Sequence, residues 1–439
     1  MTMWWFFGVC ISVLVGVVSA HAGQDTERLV EYRIVDGTIP TPLTSQPGDS
    51  ERGRQVVLDR ERGDCVVCHA LPLPERHFHG SLGPPLDGVG ARSSAGALRL
   101  RLVNSKALNP VSVMPAYYQT EGFFQVLSKY RGKPILTAQE VEDVVAYLLT
   151  LVVIPAQAGI QGQKPGFRVS RSLPGMTSCL AGDEDSVSEP SEAIPQPHPS
   201  ALPYMLENRR SGYTYLSEDN QQLQNDDFAN PGMLWVERGK ELWRQIASEG
   251  KSSCFTCHGE ASANMRGVRA RYPRFDTRSK KLINLEQQIN RCQVERMHAA
   301  AYPYESEALL ALTTFIGLQS RGMPVAVEVD GPAQPFFEAG KAFFSRRRGQ
   351  LDLACSHCHD QYAGHQLRGE VISQGQTNGF PIYRQLWQTL GSAHRMFAWC
   401  NTAVRAEPLP LGADEYVNLE LYQAWRGRGL PVETPAVRR

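Results

Sequence analysis

Apolar side chains recur at helical spacing in three separated stretches of the chain. Val141, Val144, Val145, Leu148 and Leu149 follow Thr137-Ala138-Gln139-Glu140, a capping-box sequence that predicts a helix start. Leu309, Leu312, Thr313 and Ile316 mark a second such face. Val417, Leu421, Ala424 and Trp425 mark a third, capped by Asp414 and closing near Gly427 and Gly429. Period-two alternation is scarce, so the pattern predicts a mainly α protein with long irregular loops and few strands. One longer apolar run, Met3 to Ala20, precedes Ala20-His21-Ala22, a small-residue cleavage pattern. It reads as an export signal cut after Ala22, although its first residues lack Lys and Arg; the other reading is an uncleaved anchor. The best later run, Val144 to Ile154, is too short to span a bilayer, so no stable membrane span is expected in the mature chain.

A short repeat divides the chain. Glu51-Arg52-Gly53-Arg54, Glu237-Arg238-Gly239-Lys240 and Glu338-Ala339-Gly340-Lys341 each open a helical pattern. They stand 14, 17 and 17 residues before the pentapeptides Cys65-Val66-Val67-Cys68-His69, Cys254-Phe255-Thr256-Cys257-His258 and Cys355-Ser356-His357-Cys358-His359. Three copies of one small unit follow from this, each with an opening helix, a turn, the pentapeptide and a closing helix. From Pro155 to Pro203 the composition turns to Gly, Pro, Ser, Gln and acid, which reads as a flexible tether. Only a short segment, Arg321 to Pro335, joins the second unit to the third, so these two should form one body. The expected division is a signal at 1–22, a first unit at 23–152, a linker at 153–202, a second unit at 203–325 and a third at 326–439.

Cys-x-x-Cys-His is the attachment signature of c-type haem: two thiols bind the porphyrin and the histidine binds iron. A single copy is also compatible with a zinc knuckle. Three copies, each closed by histidine in a chain of only ten cysteines, point to three covalently bound haem c groups. Cys65, Cys68, Cys254, Cys257, Cys355 and Cys358 are then the attachment thiols, and His69, His258 and His359 the proximal ligands. The fold expected is three class I cytochrome c-like haem domains, the last two packed as one dihaem body. Attachment outside the cytoplasm agrees with the export signal and places the protein in the periplasm.

Charge adds little. The 439 residues carry 45 basic and 45 acidic side chains, a formal net charge of zero, which argues against a nucleic-acid partner. Arg346-Arg347-Arg348 reads as a solvated loop or a partner contact. The cysteines say more. Cys10 lies in the signal and Cys179 in the linker, which leaves Cys292 and Cys400 without a role.

The sixth iron ligand decides what a haem can do. In the first unit Met114-Pro115 lies in a loop 45 residues beyond His69 and is the candidate, with His77 and His79 as competitors close to the attachment motif. The other units have no Met-Pro loop. Each has one unassigned cysteine: Cys292 is 34 residues after His258, and Cys400 is 41 after His359. Their parallel placement favours thiolate ligation of both irons. A Cys292–Cys400 disulfide and ligation by Met265, Met297 or Met396 are the alternatives.

The pattern resembles the SoxAX cytochromes of bacterial thiosulfate oxidation, with the two subunits joined in one polypeptide. Residues from about 45 to 152 are similar to the monohaem subunit through Gly63-Asp64-Cys65, the segment Gly83 to Arg92, and Asn109 to Tyr117 around Met114. Residues from about 201 to 430 resemble the dihaem form of the large subunit. The marks there are Asn230-Pro231-Gly232, Ser253 to Gly259, Ile289-Asn290-Arg291-Cys292 and, most specifically, Cys400-Asn401-Thr402-Ala403-Val404-Arg405-Ala406-Glu407-Pro408. The resemblance implies an L-cysteine S-thiosulfotransferase. Thiosulfate would be coupled oxidatively to a cysteine of a SoxYZ-like carrier protein, and electrons would pass to a small c-type cytochrome. It also implies that Cys400 is the active cysteine and Cys292 the structural axial one. A dianionic substrate needs fixed positive charge, for which Arg405 and Arg395 stand five residues either side of Cys400. The family's substrate arginine stands four residues before the active cysteine, where this chain has Met396. The alternative functions are an electron-transfer cytochrome without thiosulfate chemistry and a dihaem-type peroxidase.

Overall fold

A computed structural model describes residues 29–73, 77–152, 203–246 and 252–439. The expected signal with Cys10, its cleavage pattern, and the 153–202 linker with Cys179 lie outside the described residues. The fold is mainly helical. The first unit holds α1 (Ser50–Leu58), α2 (Val89–Arg92), α3 (Ala95–Asn104) and α4 (Ala138–Thr150). Next come α5 (Glu218–Asn225), α6 (Met233–Arg244), α7 (Cys254–His258), α8 (Ala261–Asn264), α9 (Leu285–Glu295) and α10 (Glu307–Leu318). The C-terminal part holds α11 (Gln334–Ser345), α12 (Ala393–Ala403) and α13 (Asp414–Arg426).

Local sequence explains most of the starts. The Thr137 hydroxyl accepts from the Glu140 N–H at 3.2 Å while Glu140 accepts from the Thr137 N–H at 2.8 Å, so the capping box at α4 is complete. Ser306 caps α10 through the Leu309 N–H. At α13 Asp414 is the first helical residue, with Ala413 before it as the cap, so the carboxylate acts on the helix dipole and does not bond a backbone N–H.

The three opening motifs have one physical purpose. Gly53 of α1 lies against the α4 backbone, where an added Cβ would fall 1.9 Å from the Asp143 carbonyl oxygen. At Gly239 of α6 the added carbon would fall 2.2 Å from Ala311 O of α10, and at Gly340 of α11, 2.0 Å from Asn418 O of α13. Each opening helix therefore crosses its closing helix backbone to backbone, and only glycine leaves room. Val56, Val57, Val141, Val144, Val145 and Leu148 are buried around the first crossing. Val236, Leu309, Leu312 and Ile316 are buried around the second, and Phe344, Tyr416 and Leu419 around the third.

Strands are short. β1 (Met205–Leu206) pairs with β2 (Arg209–Arg210), β3 (Arg274–Asp276) with β4 (Lys281–Ile283), and β5 (Gln366–Leu367) with β6 (Glu370–Val371), all antiparallel. β7 (Ile382–Arg384) is central in a three-stranded sheet, antiparallel to β8 (Thr389–Gly391) and parallel to β9 (Ala436–Arg438).

One core joins the second and third helix pairs: Ala270, Leu282, Val325 and Val327 pack with Val417, Leu421 and Val432. Beside it three elements meet at buried polar groups. Glu286 comes from α9, His394 from α12 and Glu420 from α13. The His394 Nε2 lies 3.3 Å from the Glu420 carboxylate, and the Asn284 amide donates to the same carboxylate at 3.2 Å. Burial, then the neighbouring Glu420 charge, pushes the Glu286 carboxyl up to about 7.

The first unit docks on the third. Leu127 N–H donates to Arg405 O at 2.9 Å, Glu407 N–H to Gln125 O at 2.8 Å, and Gly349 N–H to Phe124 O at 2.8 Å. Farther along, Arg368 N–H donates to Val67 O at 3.0 Å and its guanidinium pairs with Asp64 at 2.7 Å. The triple-arginine run is part of this seam and is not a solvated loop. Arg346 covers the Phe124 ring, Arg347 donates to Ser112 O, and Arg348 is buried over Phe343 and donates to its carbonyl.

Two outcomes follow. Gly239→Ala should destabilise the protein by about 1–3 kcal/mol, the usual range for an overpacked contact, whereas truncating the exposed neighbour Lys240 to Ala should change stability by under about 0.5 kcal/mol. Thermal unfolding of both variants checks this. The second outcome concerns Glu286, whose folded carboxyl titrates above its unfolded value of about 4.3. Its contribution is full below that value and is lost as pH rises towards 7. The stability of the parent relative to Glu286→Gln, measured from pH 4.5 to 7.5, should therefore fall as pH rises. Burial raises the Glu420 carboxyl, but the neighbouring His394, the Arg269 charge and the Asn284 amide together hold it below its ordinary value.

Candidate functional site

In the first unit the pentapeptide is a single tight turn, Cys65–Val67, entered by Asp64 at φ 42°. The His69 ring Nδ1 lies 2.7 Å from Pro84 O, which sets the proton on Nδ1 and the lone pair on Nε2. Gly83 lies close against the same ring: an added Cβ would stand 2.2 Å from its Cε1. Burial lowers the His69 pKa and pushes the Cys65 and Cys68 thiols up to about 12, so all three groups are neutral at ordinary pH. The Met114 loop is held at both ends of its residue. Ser105 donates to the Met114 carbonyl at 2.7 Å, the Met114 N–H donates to Ser112 at 3.2 Å, and the side chain packs on the first core. Of its competitors, His77 is exposed and His79 accepts from Leu71 N–H at 3.4 Å.

The second pentapeptide is α7, capped by a reciprocal Ser253–Thr256 box. Its His258 ring packs against Trp243 at 5.8 Å. Cys292 projects from α9, accepts from the Gln288 amide at 3.2 Å, and is close enough to Cys254 for its charge to add to the burial that pushes that thiol up to about 11.

The third pentapeptide runs into a π turn, His357–Gln361. It repeats the histidine arrangement of the first: His359 Nδ1 lies 2.8 Å from Ser373 O, and an added Cβ at Gly375 would fall 2.8 Å from the His359 Cγ. Cys400, on α12, is pushed up to about 12 by burial first and then by the charges of Cys355 and Cys358, while Arg384 opposes the shift. Each extra cysteine therefore faces the pentapeptide of its own unit. Among the described residues every cysteine is free, including Cys292 and Cys400. A cavity of about 810 Å³ borders His359, with Arg209, Trp425 and Arg426 on its wall.

Two of these sites adjoin. Cys68 and Cys358 are electrostatic neighbours, and the Arg368–Asp64 pair stands beside the first pentapeptide. The two arginines singled out by sequence behave differently. Arg405 is buried in the seam at φ 59°; its guanidinium donates to Gln350 at 2.7 Å and to Glu61 O at 2.7 Å, over the Tyr130 ring. Arg395 lies over Trp387, donates to Leu390 O at 3.2 Å and faces Glu305 at 3.7 Å. The cation whose charge acts on Cys400 is Arg384 of β7, 16 residues upstream. No local motif marks it, because the β7–α12 packing alone brings it there.

The donor sets fit haem better than a bare ion. Among the described residues no three His, Cys, Asp or Glu side chains cluster to hold a metal, as a zinc knuckle requires. Two histidines with Nδ1 fixed by a carbonyl, glycines close against both rings and neutral paired thiols suit a porphyrin bound beside iron.

Comparison with known proteins agrees. Residues 50–152 match the cytochrome c family, and residues 238–325 match the SoxA/TsdA cytochrome c domain. The SoxA subunit of L-cysteine S-thiosulfotransferase from Rhodovulum sulfidophilum is 43% identical over 243 residues, covering 55% of this chain and 84% of that protein. The chain belongs to the SoxA family. The SoxA subunit from Pseudaminobacter salicylatoxidans is 41% identical over 248 residues, 56% of this chain and 85% of its own. The crystal structure of SoxXA from P. pantotrophus aligns with a TM-score of 0.50 and 40% identity, covering 52% of this chain and 87% of that one. A second cytochrome c region precedes the SoxA region in the same polypeptide, so the chain is a fusion of the SoxX and SoxA kinds. Its two matched cytochrome c regions imply bound haem.

Proposed function

We propose that this SoxA-family fusion is an L-cysteine S-thiosulfotransferase that carries three covalent haem c groups. Cys65/Cys68, Cys254/Cys257 and Cys355/Cys358 are the attachment pairs. The iron ligands are His69 with Met114, His258 with Cys292, and His359 with Cys400. The observation that carries this reading is the placement of Cys400: a partly buried thiol on α12, an electrostatic neighbour of Cys355 and Cys358, one residue after the Trp399 ring that Arg384 covers.

The reaction joins a carrier cysteine to thiosulfate, R–SH + S₂O₃²⁻ → R–S–SSO₃⁻ + H⁺ + 2e⁻. Haem bound at His359 supplies the electron acceptor and keeps the adjacent sulfur electron-rich. The protein does the rest. The helix α12 carries Cys400 to the third pentapeptide, Ser373 O holds the His359 ring in one tautomer, and Arg395 adds positive charge near the start of α12, partly offset by Glu305. Arg405 contributes from the seam, where it ties the Cys400–Pro408 segment to Glu61 and Gln350. Electrons leave through the first unit, whose pentapeptide neighbours the third, towards a small c-type cytochrome. The thiol donor is a SoxYZ-like carrier. The relative from Rhodovulum sulfidophilum bears the name of the thiosulfotransferase subunit, which supports the substrate class. We place the protein in the periplasm, exported by the N-terminal apolar segment; among the described residues no helix is long and apolar enough to cross a membrane.

Protein made in an export-competent host should show three haem additions by intact mass. Cys400→Ala should keep all three and lose thiosulfate-dependent electron release with a thiol carrier by at least a hundredfold. Parent-rate coupling by Cys400→Ala with all haems in place would end the catalytic assignment and leave an electron relay.

A further inference from the structure

Arg384 has a role that the sequence does not announce. It ends β7 with its side chain almost wholly buried, 5% exposed. The Nε donates to the backbone carbonyl of Arg439 at 3.0 Å, and Nη2 lies 3.6 Å from the Glu370 carboxylate, a loose pair whose acid is half exposed. The guanidinium plane lies over two indoles, 4.3 Å from the Trp399 ring centre and 5.1 Å from that of Trp387. Such stacking fixes a planar, weakly hydrated cation in place without neutralising it.

The remaining donor is the informative one. Nη1 points at the Met396 thioether sulfur, 4.0 Å away. A thioether is a weak acceptor, so a strong charged donor is matched here with a poor partner. Met396 and Cys400 are four residues apart on α12 and share a face one turn apart. Arg384 thus directs an under-used donor at the surface that leads to Cys400. The other arginines near this helix are committed otherwise: Arg395 to Leu390 O and Glu305, Arg405 to Gln350 and Glu61 O.

We propose that Arg384 is the anion-positioning residue of this site: its Nη1 binds the sulfonate oxygens of thiosulfate in place of the Met396 contact. The outer sulfur of the anion is thereby directed at Cys400. The inference rests on the reading of Cys400 as the reaction sulfur, and it adds a specificity rule. Sulfonate-bearing thiols should bind, because they present charged oxygens to a fixed fork, whereas neutral persulfides should not.

Calorimetric binding of thiosulfate to the oxidised holoprotein tests this apart from turnover. Arg384→Gln should weaken Kd by about 10–100-fold, the loss of one hydrogen bond to a charged group, with all three haems retained and the KM for the carrier thiol unchanged. Arg384→Lys should recover only part of the affinity. Met396→Glu gives a second route that leaves Arg384 and its packing in place: a carboxylate facing Nη1 occupies the donor and should weaken thiosulfate binding to a similar degree. If Arg384→Gln disturbs the haems, Met396→Glu alone decides. Parent-like Kd in Met396→Glu, or in a spectrally intact Arg384→Gln, overturns the inference, as does failure of the parent to bind thiosulfate. Failure of the Cys400 reading appears separately, as coupling that survives Cys400→Ala.

Discussion

The close contact of two helix backbones is the constraint on which this molecule is built. Gly53, Gly239 and Gly340 each sit where a methyl group would strike a carbonyl of the closing helix. Short helices of this kind are marginal alone and gain their stability from the face they bury. Once an opening helix is fixed against its closing helix, the turn that follows has little choice of position, and that turn carries the two cysteines and the histidine. The same crossing used three times puts three such turns on one chain.

What distinguishes the units is added around that common crossing. Fixing His69 and His359 by a backbone carbonyl at Nδ1 leaves Nε2 as the free ring nitrogen for the proposed iron. Ser105 and Ser112 hold the Met114 backbone in its loop in the first unit, while α9 and α12 carry Cys292 and Cys400, the proposed ligands of the second and third. The seam between the first and third units is made largely of main-chain bonds, with Arg405 at its centre. It brings Cys68 beside Cys358, so the proposed reaction site and the proposed exit site share one wall.

Much of this was legible in the chain because it is written locally. Helical periodicity located the closing helices, and Thr137 with Glu140 announced a capping box that forms as read. The Glu-x-Gly-basic repeat located the opening helices as well, but the reason for its glycine was not legible: the carbonyls it meets lie 72 to 90 residues away. Sequence separations of 222 and 235 residues hid the fate of Arg346 and Arg347, in a run that reads as a solvated loop or a partner contact and that packs against Phe124 and Ser112. Asp414 reads as a cap but stands one residue inside its helix, since a carboxylate favours either position by the same electrostatics. Arg384 had no signature at all. An arginine in a three-residue strand reads as an exposed edge residue until its sheet is packed against α12.

One chain is proposed to hold a cysteine-ligated reaction site and a methionine-ligated exit site in fixed contact. A spectroelectrochemical titration of the holoprotein tests it most directly, with Met114→His identifying the first unit's signal. Thioether ligation favours the reduced metal and thiolate the oxidised. The proposed His69/Met114 centre should have the highest potential of the three, with the Cys292 and Cys400 centres well below it. A titration that placed the Met114 centre lowest would contradict it.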